Sequence, residues 1–386
     1  MKKVCVVTGS RADYGLLRWV MQGMKESDSL RLQIVATGSH LSVDFGNTFR
    51  EIVIDGFEID CRVNLDLNDD SAVGVSKSMA QAIQGVAGAF EALKPDLVVI
   101  LGDRYEIWAA AVAATIANIP IAHLHGGEVT LGAIDEAIRH GITKMSHLHF
   151  VATEEFRQRV IQLGESPDRV FTVGAFGLDN IDRLVLLDRH ELELAIQAQL
   201  SETNILITFH PVTLQVGQAR EQISQILNAL RAFPEAGLFF TLPNADTESQ
   251  VVREEIERFV AERDNAYAFA SLGQLRYLSL LKHVDVVLGN SSSGIIEAPA
   301  LFTPTVNLGL RQQGRPRAES VFECEIIETS IYNGLTKVLA KGLTSVRSTS
   351  PNPYGEPGAS KSCVREIENC SLSGITVKNF RDLPLT

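Results

Sequence analysis

Short, continuous apolar runs alternate with segments of helical periodicity along almost the whole chain, and this constrains the fold more than any other feature. The runs are residues 4–8, 32–36, 97–101, 119–124, 150–152 and 170–173, then 205–209, 238–242, 284–288 and 305–308. Many are unbroken rather than alternating, as parallel strands covered on both faces require. Between them, residues 14–25, 78–93, 134–149 and 221–233 carry apolar side chains at helical spacing. Strand and helix in alternation predict doubly wound α/β sheets. The stretch Gly174-Ala175-Phe176-Gly177-Leu178-Asp179-Asn180 ends the first series, and a charged helical stretch leads into the second. The expected architecture is two Rossmann-like doubly wound domains facing a central cleft, residues 1–180 and 181–365. A tail, residues 366–386, is expected to cross back onto the first domain, after a turn-rich stretch at 348–355 and a last helix near 359–370. At 386 residues the chain has room for two such cores.

Charge narrows the function classes. Lys plus Arg is 35 and Asp plus Glu is 47, a net charge of −12, which argues against nucleic acid or an anionic membrane as partner. It leaves room for one anionic small ligand, because a few arginines at one cleft overcome the mean field. The five cysteines are scattered without a CxxC pair, pointing to a reducing compartment and against a zinc site. The apolar N-terminal run turns polar at Ser10-Arg11-Ala12-Asp13, too soon for a signal peptide or a membrane span. The expectation is a cytoplasmic protein with no metal.

Ligands of open α/β sheets bind beyond the carboxyl ends of the strands. Polar groups crowd there in this sequence. After the first strand comes Thr8-Gly9-Ser10-Arg11-Ala12-Asp13, which could hold an anion at a helix N-terminus but is not GxGxxG. A plain capped turn with Arg11 and Asp13 paired is the bland alternative. After 97–101 comes Gly102-Asp103-Arg104-Tyr105-Glu106, where an N-cap Asp with a surface Arg is the bland reading. After 119–124 comes His125-Gly126-Gly127-Glu128, then Asp135-Glu136 and Arg139-His140. The two glycines would let backbone approach a ligand, and His125, Glu128 and Asp135 could converge. Asp135 and Arg139 are also i, i+4 on one helix, which explains that pair without chemistry. In the second half the strand ends lead to His210-Pro211-Val212-Thr213, Pro243-Asn244-Ala245-Asp246 and Gly289-Asn290-Ser291-Ser292-Ser293-Gly294, with Glu297 one helical turn on. Serine hydroxyls and amides at a helix start make a phosphate cradle, Glu297 could accept from ribose hydroxyls, and Arg311 and Arg315 follow close by. The residues alone therefore suggest a cleft for a phosphorylated, nucleotide-bearing ligand.

Taken in order, Ser10-Arg11-Ala12-Asp13-Tyr14-Gly15, Leu101-Gly102-Asp103-Arg104, His123-Leu124-His125-Gly126-Gly127-Glu128, Ile134-Asp135-Glu136 with Ile138-Arg139-His140, Pro243-Asn244-Ala245-Asp246 and Gly289-Asn290-Ser291-Ser292-Ser293-Gly294 resemble the hydrolysing UDP-N-acetylglucosamine 2-epimerases of bacterial sialic acid and surface-glycan biosynthesis. The resemblance runs from residue 3 to about 365. It implies the GT-B arrangement of two Rossmann-like domains. The implied reaction removes the proton from sugar carbon 2, expels UDP from carbon 1 and adds water to the resulting glycal, giving N-acetylmannosamine and UDP without a cofactor. It also implies a homodimer or homotetramer.

By the same resemblance Asp103 matches the catalytic Asp and Asp135 an acidic residue before Ile-Arg-His. His210 matches a histidine near the diphosphate, with a place in both the catalytic and the substrate-binding sets. Ser291 and Ser292 match the diphosphate serines, Glu297 the ribose carboxylate, and Arg11, Arg104 and Arg311 basic substrate contacts. Asp13 and Asn244 complete the expected substrate-binding set. Where related enzymes place a catalytic Glu before Gly-Gly-Glu, this chain has His125, so the third acid/base is either His125 or Glu128. Two rivals stand beside this reading. One is a hydrolysing 2-epimerase of UDP- or GDP-N,N′-diacetylbacillosamine, for legionaminic acid. The other is a GT-B glycosyltransferase, which would share the nucleotide site but not need carboxylates around sugar carbon 2.

Overall fold

In the computed structural model, which describes residues 1–131, 133–212, 217–243, 248–341 and 352–382, the first apolar run is β1 (Lys2–Thr8). Its residues are covered on both faces. Val4 and Val6 pack with Leu17, Val20 and Met21 of the helix Arg11–Glu26, whereas Cys5 and Val7 pack with Val86, Phe90 and Ile107. A strand so enclosed can be apolar at every position, which is why the run is unbroken.

The chain divides into two units: Met1–Glu128 with Ile134–Asn180 and Tyr354–Thr386, and Val129–Ala133 with Ile181–Pro353. In the first, β1 is joined by β2 (Leu30–Thr37), β3 (Cys61–Val63), β4 (Leu97–Leu101), β5 (Ile121–Leu124), β6 (Leu148–Val151) and β7 (Val170–Thr172), in the order β3-β2-β1-β4-β5-β6-β7. In the second, β8 (Asn204–Thr208), β9 (Gly237–Thr241), β10 (Ala266–Phe269), β11 (Val286–Gly289), β12 (Thr305–Leu308) and β13 (Val321–Cys324) run β10-β9-β8-β11-β12-β13. Every strand pair is parallel. Each sheet therefore has one point where strand order reverses, between β1 and β4 and between β8 and β11. Loops leaving the carboxyl ends of those strands diverge there and leave a crevice. This fixes where each unit can hold a ligand.

The structure departs from the sequence reading at the edges and at one junction. β3, β10 and β13 are not among the predicted runs; they are sheet-edge strands with partly exposed side chains, and Arg62 and Glu323 interrupt the apolar signal of β3 and β13. The helical pattern read over 134–149 stops at Met145, and His149 lies inside β6, because Ile121 N donates to His147 Nδ1 at 3.1 Å and draws the chain into the sheet. The chain rejoins the first unit at Tyr354, ahead of the boundary expected at 365. The final helix, Ala359–Asn369, buries Cys363, Val364 and Ile367 in the first unit's core, with Asp179 Oδ2 accepting from Ser360 N at 2.7 Å.

Beyond that helix, Lys378 reaches a buried carboxylate. Glu165 accepts from Lys378 Nζ at 2.8 Å, Lys144 Nζ at 2.5 Å and His149 Nε2 at 3.1 Å. Burial pushes the Glu165 carboxyl up, but the three donors outweigh it and hold it at about 2, below its ordinary 4.5. A depressed folded pKa gives stability that is present above about 4.5 and lost as pH falls towards 2. Glu165→Gln is expected to cost about 3 kcal/mol at pH 7. It should also flatten the stability loss through that acid window, as urea melts on both sides of it would show.

Candidate active site

β4 and β5 are neighbours in register, Leu101 opposite Leu124, so the loops that follow them start side by side. The first carries Asp103, the second His125 and Glu128. Arg139, from the helix Asp135–Met145, ties them together: its guanidinium pairs with the Asp103 carboxylate through Nη2 and donates to the Glu128 carbonyl through Nη1 at 3.1 Å. Arg139 is buried, so its charge is poorly screened and strongly oriented. It also lies 3.6 Å from Glu136. Beside its own-helix neighbours, Arg139 thus reaches a carboxylate 36 residues away. Nor is Asp103 an N-cap; the cap of the next helix, Tyr105–Ile116, is Arg104.

His125 occupies the left-handed backbone region at φ 62°, uncommon for a side-chain-bearing residue and concentrated at functional sites. Its Nδ1 donates to Glu128 Oε1, its ring lies 5.4 Å from that of Phe176, and Nε2 is buried without a hydrogen-bond partner among the described residues. Glu128 is itself buried. The glycines between them pack closely against neighbouring protein groups. A Cβ on Gly127, where φ is 75°, would stand 2.4 Å from the Phe156 carbonyl, and one on Gly126 would stand 3.1 Å from the His123 ring. His123 donates to the Gly102 carbonyl at 2.8 Å, and burial lowers its pKa to about 3, so it is a neutral prop. Asp135 opens its helix and is half-buried.

At the β1/β4 reversal the loops place Asp13 near Arg104 and Glu106. Asp13 closes a capping box, accepting from Gly9 N at 3.1 Å and Ser10 N at 3.0 Å. Burial pushes its carboxyl up to about 6, Arg104 opposing and Glu106 adding to the rise. The turn is thus capped, as in the bland alternative, with the Asp13 carboxylate held by backbone amides. Arg11 begins the helix.

In the second unit the organising residue is Asn290. Its side chain grips His210 on both sides: Oδ1 accepts from His210 N and Nδ2 donates to the His210 carbonyl, each at 2.8 Å. Its own carbonyl accepts from Arg311 Nη1 at 3.0 Å and Gln312 Nε2 at 2.7 Å. Ser291, Ser292 and Ser293 follow, half-buried, at the start of the helix Ser293–Ala300, where backbone amides face an anion favourably. Glu297 is buried on that helix. Gly289 precedes the turn at φ 147°, and a Cβ there would meet the Thr208 carbonyl at 1.9 Å, so only glycine lets β11 pass β8. Arg315, read with Arg311 as a cradle residue, donates instead to the Val129 carbonyl at 2.6 Å and to Thr130 Oγ1 at 3.1 Å. Asn244 lies outside the described residues.

Two clusters therefore emerge, each on one unit: Asp103, His125, Glu128 and Arg139 on the first, His210, Ser291, Ser292, Glu297 and Arg311 around Asn290 on the second. The first offers carboxylates and an imidazole for proton transfer; the second offers hydroxyls, amides and a guanidinium suited to phosphate. No group of three or more potential metal ligands occurs among the described residues. No helix among them is long and apolar enough to cross a membrane. Sequence reading singled out neither Asn290 nor Arg139 as a key residue; the available signal was a polar residue directly after a strand and an arginine on the following helix.

The family model described as UDP-N-acetylglucosamine 2-epimerase matches residues 22–368. The chain is 39% identical over 385 residues to the GDP/UDP-N,N′-diacetylbacillosamine 2-epimerase (hydrolyzing) of Campylobacter jejuni, covering 99% of each chain. It is also 39% identical over 389 residues to the polysialic acid biosynthesis protein P7 of Escherichia coli, covering 100% of this chain and 98% of that one. The crystal structure of the Neisseria meningitidis UDP-GlcNAc 2-epimerase bound to UDP-GlcNAc shares the fold, with TM-score 0.79 at 19% identity over 95% of this chain and 99% of that one. Two parallel doubly wound α/β units and a family match over most of the chain lead to one conclusion: this chain belongs to the UDP-N-acetylglucosamine 2-epimerase family.

Proposed function

We propose that the chain is a hydrolysing 2-epimerase of a UDP-linked 2-acetamido sugar, taking UDP-N-acetylglucosamine and water to N-acetylmannosamine and UDP. A base of the first unit removes the proton at sugar carbon 2 as the carbon 1–oxygen bond to UDP breaks, leaving a glycal. Water then adds across the double bond: hydroxyl to carbon 1, proton to carbon 2 on the opposite face. The observation that carries this reading is the Arg139-linked set of Asp103, His125 and Glu128, which supplies more than one acid/base group at adjacent strand ends. A glycosyltransferase has no use for several such groups at sugar carbon 2. The second unit's serines, Arg311 and His210 bind the diphosphate, and Glu297 the ribose. Asp13, Arg11 and Arg104 complete the substrate contacts, and Asp135 is a further acid/base candidate. The reading includes a cytoplasmic homodimer or homotetramer that needs no redox cofactor.

A second sugar is favoured by a specific observation, the 39% identity to a diacetylbacillosamine epimerase over the full chain. The difference lies around sugar carbons 4 and 6, away from the reacting bonds. Incubation with UDP-N-acetylglucosamine and with UDP- and GDP-N,N′-diacetylbacillosamine, with product identification, decides between them. Free N-acetylmannosamine and UDP from the first supports the primary reading, turnover of the second pair alone moves the assignment, and three intact substrates refute both.

Glu297→Ala is expected to weaken UDP and substrate together. A ribose contact is present in ground and transition states alike, so KM rises more than kcat falls. Calorimetric UDP affinity equal to wild type would remove Glu297 from the ribose.

A further inference from the structure

Glu106, which follows β4, is buried at 1% exposure, and the reaction described above gives it no task. It lies in the first turn of the helix Tyr105–Ile116. Oε1 accepts from Arg104 Nε at 2.6 Å, and Oε2 is buried without a hydrogen-bond partner among the described residues. Two glycines make room for it. A Cβ on Gly9 would come within 2.5 Å of Glu106 Cγ and 2.6 Å of Oε1; one on Gly38, where φ is 59°, would come within 3.3 Å of Oε1 and 2.5 Å of the Gly9 carbonyl. Two strand-end loops thus close on the carboxylate that follows a third strand.

Stability does not explain this arrangement. A buried carboxylate with one unsatisfied oxygen costs free energy, and a buried ion pair is often no more stable than well-packed apolar side chains of the same volume. What the pair does supply is direction. Binding through Nε sets the plane of the guanidinium, and a set plane is what distinguishes an arginine that recognises phosphate bidentately from a loose positive charge. Asp13, whose carboxyl feels Arg104, offers the guanidinium a competing anion in the same cluster. Without Glu106, Arg104 is drawn towards Asp13.

We propose that Glu106 is a positioning residue that fixes the Arg104 guanidinium at the β1/β4 reversal, where Arg104 meets the negative charge that grows as UDP departs. This rests on the function proposed above. Glu106 touches Arg104 rather than substrate, so its effect runs through Arg104 and falls on the reacting state more than on bound UDP.

The test is a double-mutant cycle on the full chain with Glu106→Gln, Arg104→Gln and the pair. Glutamine keeps volume and one acceptor but removes the charge. Misplacing one oriented group by a fraction of its length costs about 10- to 100-fold, so Glu106→Gln should lower kcat/KM by that factor, mainly through kcat. UDP affinity by calorimetry should stay within about twofold, and in the Arg104→Gln background the second change should add no more than about twofold. Glu106→Asp, which keeps the charge, should recover part of the loss. Additive losses, or a fall in UDP affinity as large as the fall in kcat/KM, overturn the positioning role and leave the epimerase reading intact. A wild-type chain inactive on every UDP-sugar tested overturns both. If Glu106→Gln does not fold, Glu106→Asp carries the cycle; failure of both to fold assigns Glu106 to the fold and overturns the proposal.

Discussion

Replacing Asp103 by Asn is expected to lower turnover about 100- to 10,000-fold, the usual cost of removing one acid/base group, while UDP affinity stays near that of the wild type. The split follows from placement. Asp103 follows β4 in the first unit, and the residues proposed for the diphosphate and the ribose follow β8, β11 and β12 in the second. Asn keeps the shape and still accepts from the buried Arg139, but cannot take a proton. Arg139 then faces a neutral partner, so some stability is lost as well. Turnover must therefore be scored on protein whose melt shows it folded, beside calorimetry of UDP. Near-normal turnover in a folded Asp103→Asn variant would remove Asp103 from the chemistry.

The second large effect concerns the His125–Glu128 pair. A carboxylate on Nδ1 fixes the imidazole as the tautomer that carries its proton there, leaving Nε2 as the acceptor. Nε2 is buried without a hydrogen-bond partner among the described residues, as an unengaged base would be. On this ground we propose an order for the two candidates, with His125 moving the proton and Glu128 holding it in register. His125→Gln is expected to lose about 100- to 10,000-fold in turnover. Glu128→Gln, which keeps an acceptor for Nδ1 but not its charge, should lose about 10- to 100-fold. The reverse order would make Glu128 the working group, and equal, modest losses would leave the chemistry to Asp103 and Asp135.

The sequence carried the fold where burial is two-sided. The runs of β1, β4 and β8 are readable because both faces of a central parallel strand are covered. The edge strands β3 and β13 are not, since Arg62 and Glu323 interrupt their apolar residues. Strand-end residues such as Asp103 and His125 are legible because the topology sets the loops after β4 and β5 side by side. Arg139 was not, because a partner four residues away on its own helix fits the spacing as well as one 36 residues away. Glu106 reads from sequence as an ordinary acidic residue in a helix's first turn; only Gly9 and Gly38 closing on it reveal more. Gly126 and Gly127 give the same signal whether backbone approaches a ligand or its own neighbours, and the structure shows the Phe156 carbonyl and the His123 ring among those neighbours.

The central claim is that the carbon 2 proton is removed and replaced as UDP leaves. Turnover of the accepted UDP-sugar in D2O, followed by proton NMR and mass spectrometry of the released sugar, tests it most directly. The account predicts UDP and a free 2-epimeric sugar carrying one deuterium at carbon 2 that does not wash out. Release of UDP with hydrogen retained at carbon 2 would mean simple hydrolysis at carbon 1 and would contradict it.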